Sequence, residues 1–486
     1  MNEGYTDIVN LLVTHGADVN KEDQSGKSAL IYFIELLAPQ RCKTSQVLDP
    51  LEERNLNILK SMLVVVREVN KPYWHGGQDA LHIASSFGQC DVLLELIQRG
   101  ANCNQLTSNG ESALDLAYEK GHEAAVELLL KNGATPDRET ASTRSIGTSH
   151  SMYDSYQSAM PLLCTAAKNG SEAMVKLLLK YGADINASDK KGNTAVHLAT
   201  SNAVIEMLLN AGANVNATND NGETVLSIVC EKRRVDVDAA EMLLKFGADP
   251  NICVPLHTAC TNNDLDTVQL LLAYGADANL VKERQRITGS RMVASQKSVN
   301  DTEPSPLCIA CKNGNTAMTD CLLQNGAAAT FAHSDGNTPL HFAVVERRRE
   351  QANSEEYDPI VTLLKSGAEA NALNSREETP LYLACRPTDN AVNVNTVQTL
   401  LKNGSDPNMC PSLPSQSCDS ASSPLSAAAS SGNNELVMLL IKYGARLDRS
   451  AGYGRTALHF AIDSFLSLES TNSDTSTAEI LLSNGA

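Results

Sequence analysis

One short segment recurs along nearly the whole chain, and this repetition limits the possible folds more than any other feature. Its clearest copy runs from Met160 to Gly192, where two apolar stretches at helical spacing are separated by Gly170 and followed by Gly182 and a polar turn. Glycine readily adopts the positive φ that ends a helix. The unit returns about every 33 residues, a period that indicates a solenoid of stacked repeats.

Within this copy the sequence predicts where both helices lie. Pro161 is predicted as the first residue of the first helix, because its φ suits that position and its missing N–H is not needed there. The second helix should bury the apolar side chains that follow Gly170, namely Met174, Val175, Leu177, Leu178 and Leu179. Such units pack only on their neighbours, so the core should grow lengthwise with the array.

Two signatures mark the unit. The first helix begins as Thr-Pro-Leu-His-x-Ala in Thr338 to Ala343, and the second helix ends as Gly-Ala-Asp-x-Asn in Gly182 to Asn186. These residues resemble the two signatures of the ankyrin repeat, and the resemblance covers nearly the whole chain in about thirteen units. It implies an all-α solenoid of stacked helix–turn–helix units with β-turn or hairpin tips.

Polar segments divide the repeats into three blocks, predicted at 1–137, 160–280 and 304–486 with the first repeat partial. The polar linker 138–159 and the polar loop 281–303 separate these blocks. Further inserts are predicted near 39–54 and at 346–358, 386–395, 410–423 and 464–476. Most of them follow the first helix of a repeat and should project from the side opposite the turns.

The ends of the sequence lead us to expect a fragment of a larger ankyrin-repeat protein. Gly4 to Val9 matches the start of a second helix, so the chain opens in mid-repeat. It stops at Gly485-Ala486 without the polar capping helix that terminal repeats normally carry.

The charge of the chain excludes several classes of partner. Its 486 residues carry a formal net charge of −18, whereas nucleic-acid binding and docking on anionic lipid both need a basic face. Arg347-Arg348-Arg349 is the compact basic run, and we interpret it as part of a solvated insert. No secretory signal and no apolar run of membrane-spanning length is visible. We therefore expect neither nucleic-acid binding nor membrane insertion by this chain.

The cysteines and histidines have structural explanations. Thirteen scattered cysteines suit reduced thiols in a cytoplasmic protein, or in a nuclear one. Cys308 and Cys311 have the spacing of half a zinc site, but they occupy first-helix positions, as do Cys253, His257 and Cys260. We therefore predict no metal and no cofactor. The family resemblance implies that the recurrent histidines hydrogen-bond neighbouring turns; they are His82, His197, His257, His341 and His459.

No sequence motif indicates catalysis. The chain has no Gly-x-Ser-x-Gly elbow, no phosphate-binding loop and no kinase signature. The prediction is therefore a protein that is not an enzyme.

The asparagines that end the Gly-Ala-Asp-x-Asn segments have two interpretations. As turn residues their amides would satisfy local backbone groups. The family resemblance adds that such asparagines can be hydroxylated by an iron- and 2-oxoglutarate-dependent dioxygenase. Asn20 and Asn186 match best, because each follows Asp and a β-branched residue.

The function predicted is a protein–protein interaction scaffold or adaptor, with other proteins binding the concave face of an ankyrin solenoid. The predicted contact positions flank the turn glycines, where no core role is expected and the residue types vary: Ser188, Lys190, Lys191, Asn193, Thr218, Asp220, Asn221, Glu223, Ser334, Asp335 and Asn337. Two alternatives stay open, the cytoplasmic ankyrin domain of a membrane channel and the targeting arm of an enzyme such as a kinase or ubiquitin ligase.

Brief proteolysis tests the division into blocks. Segments 138–158 and 281–303 have too few aliphatic residues to bury a core of their own. We expect the first cuts in these two segments, read by mass spectrometry of the fragments. First cuts within 160–280 would contradict the division.

Overall fold

The computed structural model describes residues 11–12, 14–37, 50–66, 68–73, 76–137, 160–232, 235–281, 303–347, 358–386, 394–409, 423–450, 454–467 and 476–486. The chain divides into two compact units, Met1–Val225 and Leu226–Ala486. Within the described ranges the secondary structure is helical, with two isolated antiparallel bridges, Leu106 with Ser112 and Ser188 with Thr194. This confirms the predicted all-α repeat solenoid.

Each repeat contributes a first helix and a second helix. Up to the unit boundary these are α1 Ala29–Leu36, α2 Pro50–Val65, α3 Ala80–Ser86, α4 Cys90–Gln98, α5 Ala113–Glu119, α6 Glu123–Lys131, α7 Leu162–Lys168, α8 Glu172–Lys180, α9 Ala195–Leu198 and α10 Asn202–Asn210.

From the boundary onwards they are α11 Val225–Glu231, α12 Val237–Lys245, α13 Pro255–Thr261, α14 Leu265–Ala273, α15 Pro306–Lys312, α16 Thr316–Gln324, α17 Pro339–Arg347, α18 Pro359–Lys365, α19 Pro380–Cys385, α20 Val394–Lys402, α21 Pro424–Ser430, α22 Asn434–Lys442, α23 Ala457–Ser467 and α24 Ser476–Ser483.

The fifth repeat differs from its prediction in two details. Pro161 is the N-cap of α7, with φ −51° and ψ 141°, so its prediction as the first helical residue was wrong by one position. Its backbone is extended at that point, and the helix starts at Leu162. Met174, Val175 and Leu178 are buried as predicted, but Leu177 and Leu179 are only half-buried because they lie toward the outer side of α8.

Neighbouring repeats are joined by the asparagine that ends each Gly-Ala-Asp-x-Asn segment. Its Nδ2 donates to the carbonyl oxygen of the glycine in the next repeat, and its Oδ1 accepts from the amide two residues further on. We call this pair of bonds the asparagine rung. Both bonds, 2.6 to 3.3 Å long, are present at Asn70, Asn104, Asn251, Asn279, Asn371 and Asn408.

The recurrent histidines also join repeats. Nε2 of His82, His197 and His341 lies 3.0 to 3.2 Å from a carbonyl oxygen in the turn that precedes the next first helix, which confirms the expectation for these three. Burial lowers the pKa of His197 and His341, so the folded protein favours their neutral rings. Acidification below the ordinary histidine pKa should therefore reduce stability.

The stack of repeats continues across both polar separators. Asn279 bonds Gly326 and Ala328 across 282–302. Across 138–159, Asp137 Oδ2 accepts from the Asp184 amide at 2.6 Å, and Asn169 Nδ2 donates to the Tyr118 hydroxyl at 3.0 Å.

The helices run into the ends of four predicted inserts. α2 begins at Pro50, α17 continues to Arg347, α20 begins at Val394 and α23 continues to Ser467. The residues inside the inserts lie outside the described ranges. In the part of the chain that the structure describes, no helix has both the length and the apolar character needed to cross a membrane.

The contribution of a rung can be measured at Asn104. Its side chain binds Gly133 O at 3.0 Å, Thr135 N at 2.8 Å and the Thr135 hydroxyl at 3.1 Å. Asn104→Ala should lower the free energy of unfolding by about 1–3 kcal/mol, because the two hydrogen bonds of the rung and the bond from the Thr135 hydroxyl are lost. Asn109→Ala, at an exposed position of the same repeat, is the matched control and should cost under about 0.5 kcal/mol. Equal costs in chemical denaturation would show that the rung contributes nothing.

Candidate functional site

The predicted contact residues lie on the turns that connect the end of the Gly-Ala-Asp-x-Asn segment, or its counterpart, to the next first helix. We call these turns fingers; the regular ones are 21–27, 105–111, 187–193, 217–223, 331–337 and 372–378. The eighth repeat has none, because only Ile252 and Cys253 lie between Asn251 and the N-cap of α13, Val254. Cys253 and Val254 both have positive φ, which accommodates the shortened connection.

A polar side chain at the base holds each finger in shape. Asp189 accepts hydrogen bonds from the amides of Lys191 and Asn193 at 2.8 and 2.9 Å. Burial alone would raise the pKa of the Asp189 carboxyl, but the bonds from Asn193 and Lys191 outweigh it and leave the pKa below its usual range. Asn219 and Asn374 close their own fingers through the same pair of amide contacts.

Neighbouring fingers are also bonded to each other. The Asp220 amide donates to Lys191 O at 2.9 Å, and Asn219 Nδ2 donates to Asn193 Oδ1 at 3.0 Å. Gly192 has φ +74°, and an added Cβ would lie 2.8 Å from the Asp220 amide nitrogen. Glycine therefore serves both the turn and the close approach of the next finger at this position.

The structure separates the eleven predicted contact residues into two groups. Eight lie on the adjacent fingers 187–193 and 217–223 of the first unit, and Ser334, Asp335 and Asn337 lie on finger 331–337 of the second. Ser188, Lys190, Lys191, Thr218, Asp220, Asn221 and Asp335 are exposed.

Asn193, Glu223 and Asn337 have a structural role that the sequence interpretation did not anticipate. All three are half-buried. Oδ1 of Asn193 and Oδ1 of Asn337 each accept a hydrogen bond from the side-chain amide of the asparagine at the base of the next finger. Glu223 accepts one from the Asn219 side chain of its own finger at 2.8 Å. Their side chains therefore help to hold the fingers that present the others.

The second unit has a cleft of about 310 Å³ beside two of these fingers. Finger 331–337 contributes Asp335 and Asn337, and finger 372–378 contributes Asn374, Arg376 and Glu378. The first helices supply the remaining lining residues, which are Lys312, His341, Phe342, Val345, Glu346, Leu383 and Arg386. The volume is at the small end of ligand pockets, and suits a side chain or a short segment better than a cofactor.

Polar groups at the base of the cleft are hydrogen-bonded to one another, whereas side chains at its rim are exposed. Glu378 is 9% exposed, and its oxygens accept from Arg386 at 3.4 Å and from Asn374 at 3.1 Å. Burial would raise the pKa of Asp335, but its bonds with Asn337 and His333 outweigh this and hold the pKa below its usual range. Lys312 and Arg376 are exposed, and Val345 is 39% exposed. The rim therefore offers cations beside an apolar side chain.

Glu377 is a site residue that the sequence interpretation missed. It stands where the other regular fingers have glycine, and its φ is +58°. A non-glycine residue in this region costs about 1–2 kcal/mol, and such strain clusters at functional sites. Comparing Asn374-Ser375-Arg376-Glu377-Glu378 with Asp189-Lys190-Lys191-Gly192-Asn193 would have revealed it.

Exposed leucines on two fingers were missed as well. Leu106 and Leu373 occupy the same position of their fingers and are 50% and 47% exposed. Their signal was an apolar residue in an otherwise polar turn, at a position taken by Ser188 and Thr218 elsewhere.

Most of the described thiols are buried. Of the ten cysteines in the described ranges, seven are buried and Cys90, Cys253 and Cys321 are half-buried. Burial raises the pKa of Cys308 to about 11 and that of Cys260 to about 12. Burial raises the pKa of Cys311 as well. Within the described ranges no group of three His, Cys, Asp or Glu side chains could hold a metal ion.

The two asparagines predicted as hydroxylation sites are both tied to a neighbouring repeat. Asn186 is exposed, and its Oδ1 accepts from the Asn214 amide at 3.1 Å. Asn20 Nδ2 donates to Val65 O at 3.2 Å, and the residue lines a cavity of about 200 Å³. Hydroxylation at either position stays a prediction.

The sequence matches the family model described as "Ankyrin repeats (3 copies)" over 51–140, 146–219, 201–282, 288–354 and 389–486, and a single ankyrin repeat over 335–375. The chain is similar to the nuclear factor NF-kappa-B p105 subunit of Gallus gallus, with 34% identity over 123 residues. That match covers 25% of this chain and 11% of the relative.

Two further relatives show the same partial coverage. Neurogenic locus notch homolog protein 1 of Xenopus laevis is 25% identical over 150 residues, 31% of this chain and 5% of that protein. Potassium channel AKT2/3 of Arabidopsis thaliana is 31% identical over 123 residues, 25% of this chain and 13% of that protein. The matches therefore span a small part of each relative.

The strain at Glu377 predicts an unusual response to substitution. Glu377→Gly should raise the free energy of unfolding by up to about 1 kcal/mol, since relief of the left-handed backbone exceeds the added entropy of the unfolded chain. Arg376→Gly is the control one residue earlier, where φ is not positive, and should lower stability by about 0.4–1 kcal/mol. Urea denaturation distinguishes the two. A destabilising Glu377→Gly would contradict the strain.

Proposed function

This chain belongs to the ankyrin repeat family, and from that premise we propose that it is a scaffold or adaptor that binds other proteins on its row of fingers. The family is generally a non-catalytic interaction module. We propose the same of this protein, with recognition as its activity and no chemistry of its own.

The observation that supports the proposal is that some side chains of a finger fix its backbone while others are exposed at its tip. Buried or half-buried side chains at the base, such as Asp189 and Asn219, fix the backbone, while Lys190, Lys191 and Asp220 at the tip are exposed. A partner then meets side chains whose backbone is already ordered, which reduces the entropy lost on binding. The resemblance to ankyrin solenoids supports a concave face as the location.

Two contact regions follow from this. The first comprises the tips of fingers 187–193 and 217–223, and the second comprises the rim of the cleft, at Lys312, Val345 and Arg376. Both present charge beside uncharged surface, as the polar rim of a protein interface does. We propose partner proteins rather than nucleic acid for both, because the net charge of −18 opposes a polyanion.

We also propose a reducing compartment, the cytoplasm or the nucleus. The odd number of cysteines in the sequence and the burial of seven of the ten described thiols support it.

A second candidate function is the repeat domain of a membrane channel. The similarity to potassium channel AKT2/3 favours it, over 13% of that protein's length. The full-length reading frame tests this alternative, because a channel requires membrane-spanning segments in addition to the residues described here.

Two sets of substitutions test the interaction. The finger set replaces Lys190, Lys191, Asp220 and Asn221 by Ala, and the cleft set replaces Lys312, Val345 and Arg376 by Ala. Each should leave the melting temperature nearly unchanged, because exposed substitutions usually cost under about 0.5 kcal/mol each. At least one set should weaken a partner identified by pull-down, about tenfold or more in Kd by calorimetry, if it removes a contact worth 1.4 kcal/mol.

Leu178→Ala is the control with the opposite expectation. Leu178 is fully buried, so the cavity should cost about 2–5 kcal/mol of stability, without direct loss of a contact. Partners that bind both sets with wild-type affinity would overturn the proposal that the fingers and the cleft are the binding surface.

A further inference from the structure

We propose that the second unit contains a built-in seam between repeats nine and ten, and that this seam makes the width of the cleft adjustable. The seam is defined by α15 and α16 on one side and α17 and α18 on the other. Its use in recognition rests on the proposed function, but the seam itself does not.

The first observation is a missing rung. Thr330 ends the ninth repeat where Asn279, Asn371 and Asn408 end others of the same unit. Rungs from those asparagines reach the glycine carbonyl and the amide two residues on. The groups facing Thr330 would be Gly367 O and the Glu369 amide. Threonine carries a single hydroxyl on a side chain shorter than that of asparagine, and among the described residues no hydrogen bond joins Thr330 to either group.

The second observation is a missing histidine. Cys308 occupies the position at which His341 bonds Glu378 O at 3.0 Å in the following repeat. The Cys308 side chain is fully buried within its own repeat. Among the described residues, the ninth repeat therefore forms neither an asparagine rung nor a histidine bond to the tenth repeat.

The neighbouring joints have rung or histidine bonds that the described residues of this joint do not form. Between repeats eight and nine, Asn279 forms a full rung, and Asn313 Nδ2 donates to Cys260 O at 3.1 Å. Between repeats ten and eleven, the Ser375 amide donates to Asp335 O at 2.9 Å, in addition to the His341 contact.

The seam keeps the apolar packing that every joint has. Buried side chains on its two sides include Leu307 and Ile309 of α15, and Leu340 and Val344 of α17. Apolar burial is strong but not directional, whereas hydrogen bonds fix one geometry. A packed joint without the directional bonds can shear by small sliding of its helices.

The seam passes through the cleft. Lys312 at the end of α15 is the lining residue from repeat nine, and the others come from repeats ten and eleven. Because repeats ten and eleven are bonded to each other, sliding at the seam moves Lys312 relative to the rest of the rim. The cleft can then close on segments of different size without breaking a rung.

Pulsed EPR on the whole chain tests the seam without a partner. Spin labels on noncanonical residues avoid the thirteen native cysteines. The pair 312 and 375 spans the seam, and the pair 334 and 375 spans the bonded joint as a control. We expect a broad distance distribution for the first pair and a narrow one for the second. Thr330→Asn, which supplies the missing rung, should narrow the first and leave the second unchanged.

Hydrogen exchange gives the independent readout. Amides of α17 and α18 should exchange separately from those of α15 and α16 in the wild type. Thr330→Asn should slow the exchange of α17 and α18 about tenfold, the effect of one net hydrogen bond. Asn371→Thr, the reverse change, should speed exchange at the joint between repeats ten and eleven, although the His341 and Ser375 bonds remain there.

Either of two results would overturn the seam. One is an equally narrow distance distribution for both label pairs in the wild type. The other is hydrogen exchange of α15 to α18 as one block, while Asn371→Thr speeds exchange at the joint between repeats ten and eleven. Neither result depends on a binding partner. A failure of the proposed function therefore leaves the seam standing, and the reverse is also true.

Discussion

The array depends on one side-chain contact, the amide of an asparagine that donates to one repeat's glycine carbonyl and accepts from an amide two residues on. Asparagine combines a donor and an acceptor on one short planar group, so one residue satisfies two backbone groups that the end of a second helix leaves open. Asn371, for example, bonds Gly404 and Asp406 at 3.1 and 2.8 Å. The apolar core holds the helices together, and these contacts fix how one repeat sits on the next.

In the fingers, too, a single polar side chain bonds to backbone groups, here at the protein surface. In four of the six regular fingers an Asp or Asn at the base accepts from two amides, as Asn374 does from Arg376 and Glu378. The tip residues are then free to differ in charge and size without changing the turn. Rigid backbone and variable side chains are the features that recognition requires, and the family's general role as an interaction module agrees with them.

The sequence predicted the fold because helix ends, turn glycines and apolar spacing recur at one period, and each copy corroborates the others. It predicted less of the site, because a site depends on departures from the period. Glu377 in place of glycine and Thr330 in place of asparagine are single-residue departures, and their meaning became clear only when the facing backbone groups were known. Asn193 and Asn337 were predicted as contact positions, but their bonds to the next finger require three-dimensional neighbours that no spacing rule supplies.

The bonds between repeats eight and nine have a consequence for how such a chain can change over time. They start at Asn279 and end at Gly326 and Ala328, so the spacing of the two repeats does not depend on the length of chain that runs between them. Doubling a loop adds only about 0.6 kcal/mol of closure entropy. Insertions and deletions at the fingers can therefore accumulate, as in the long 282–302 and the absent finger before Val254, while the frame keeps its register. Segments of unrelated length and sequence can thus be exchanged wherever a rung, and not the connecting chain, sets the spacing of two repeats.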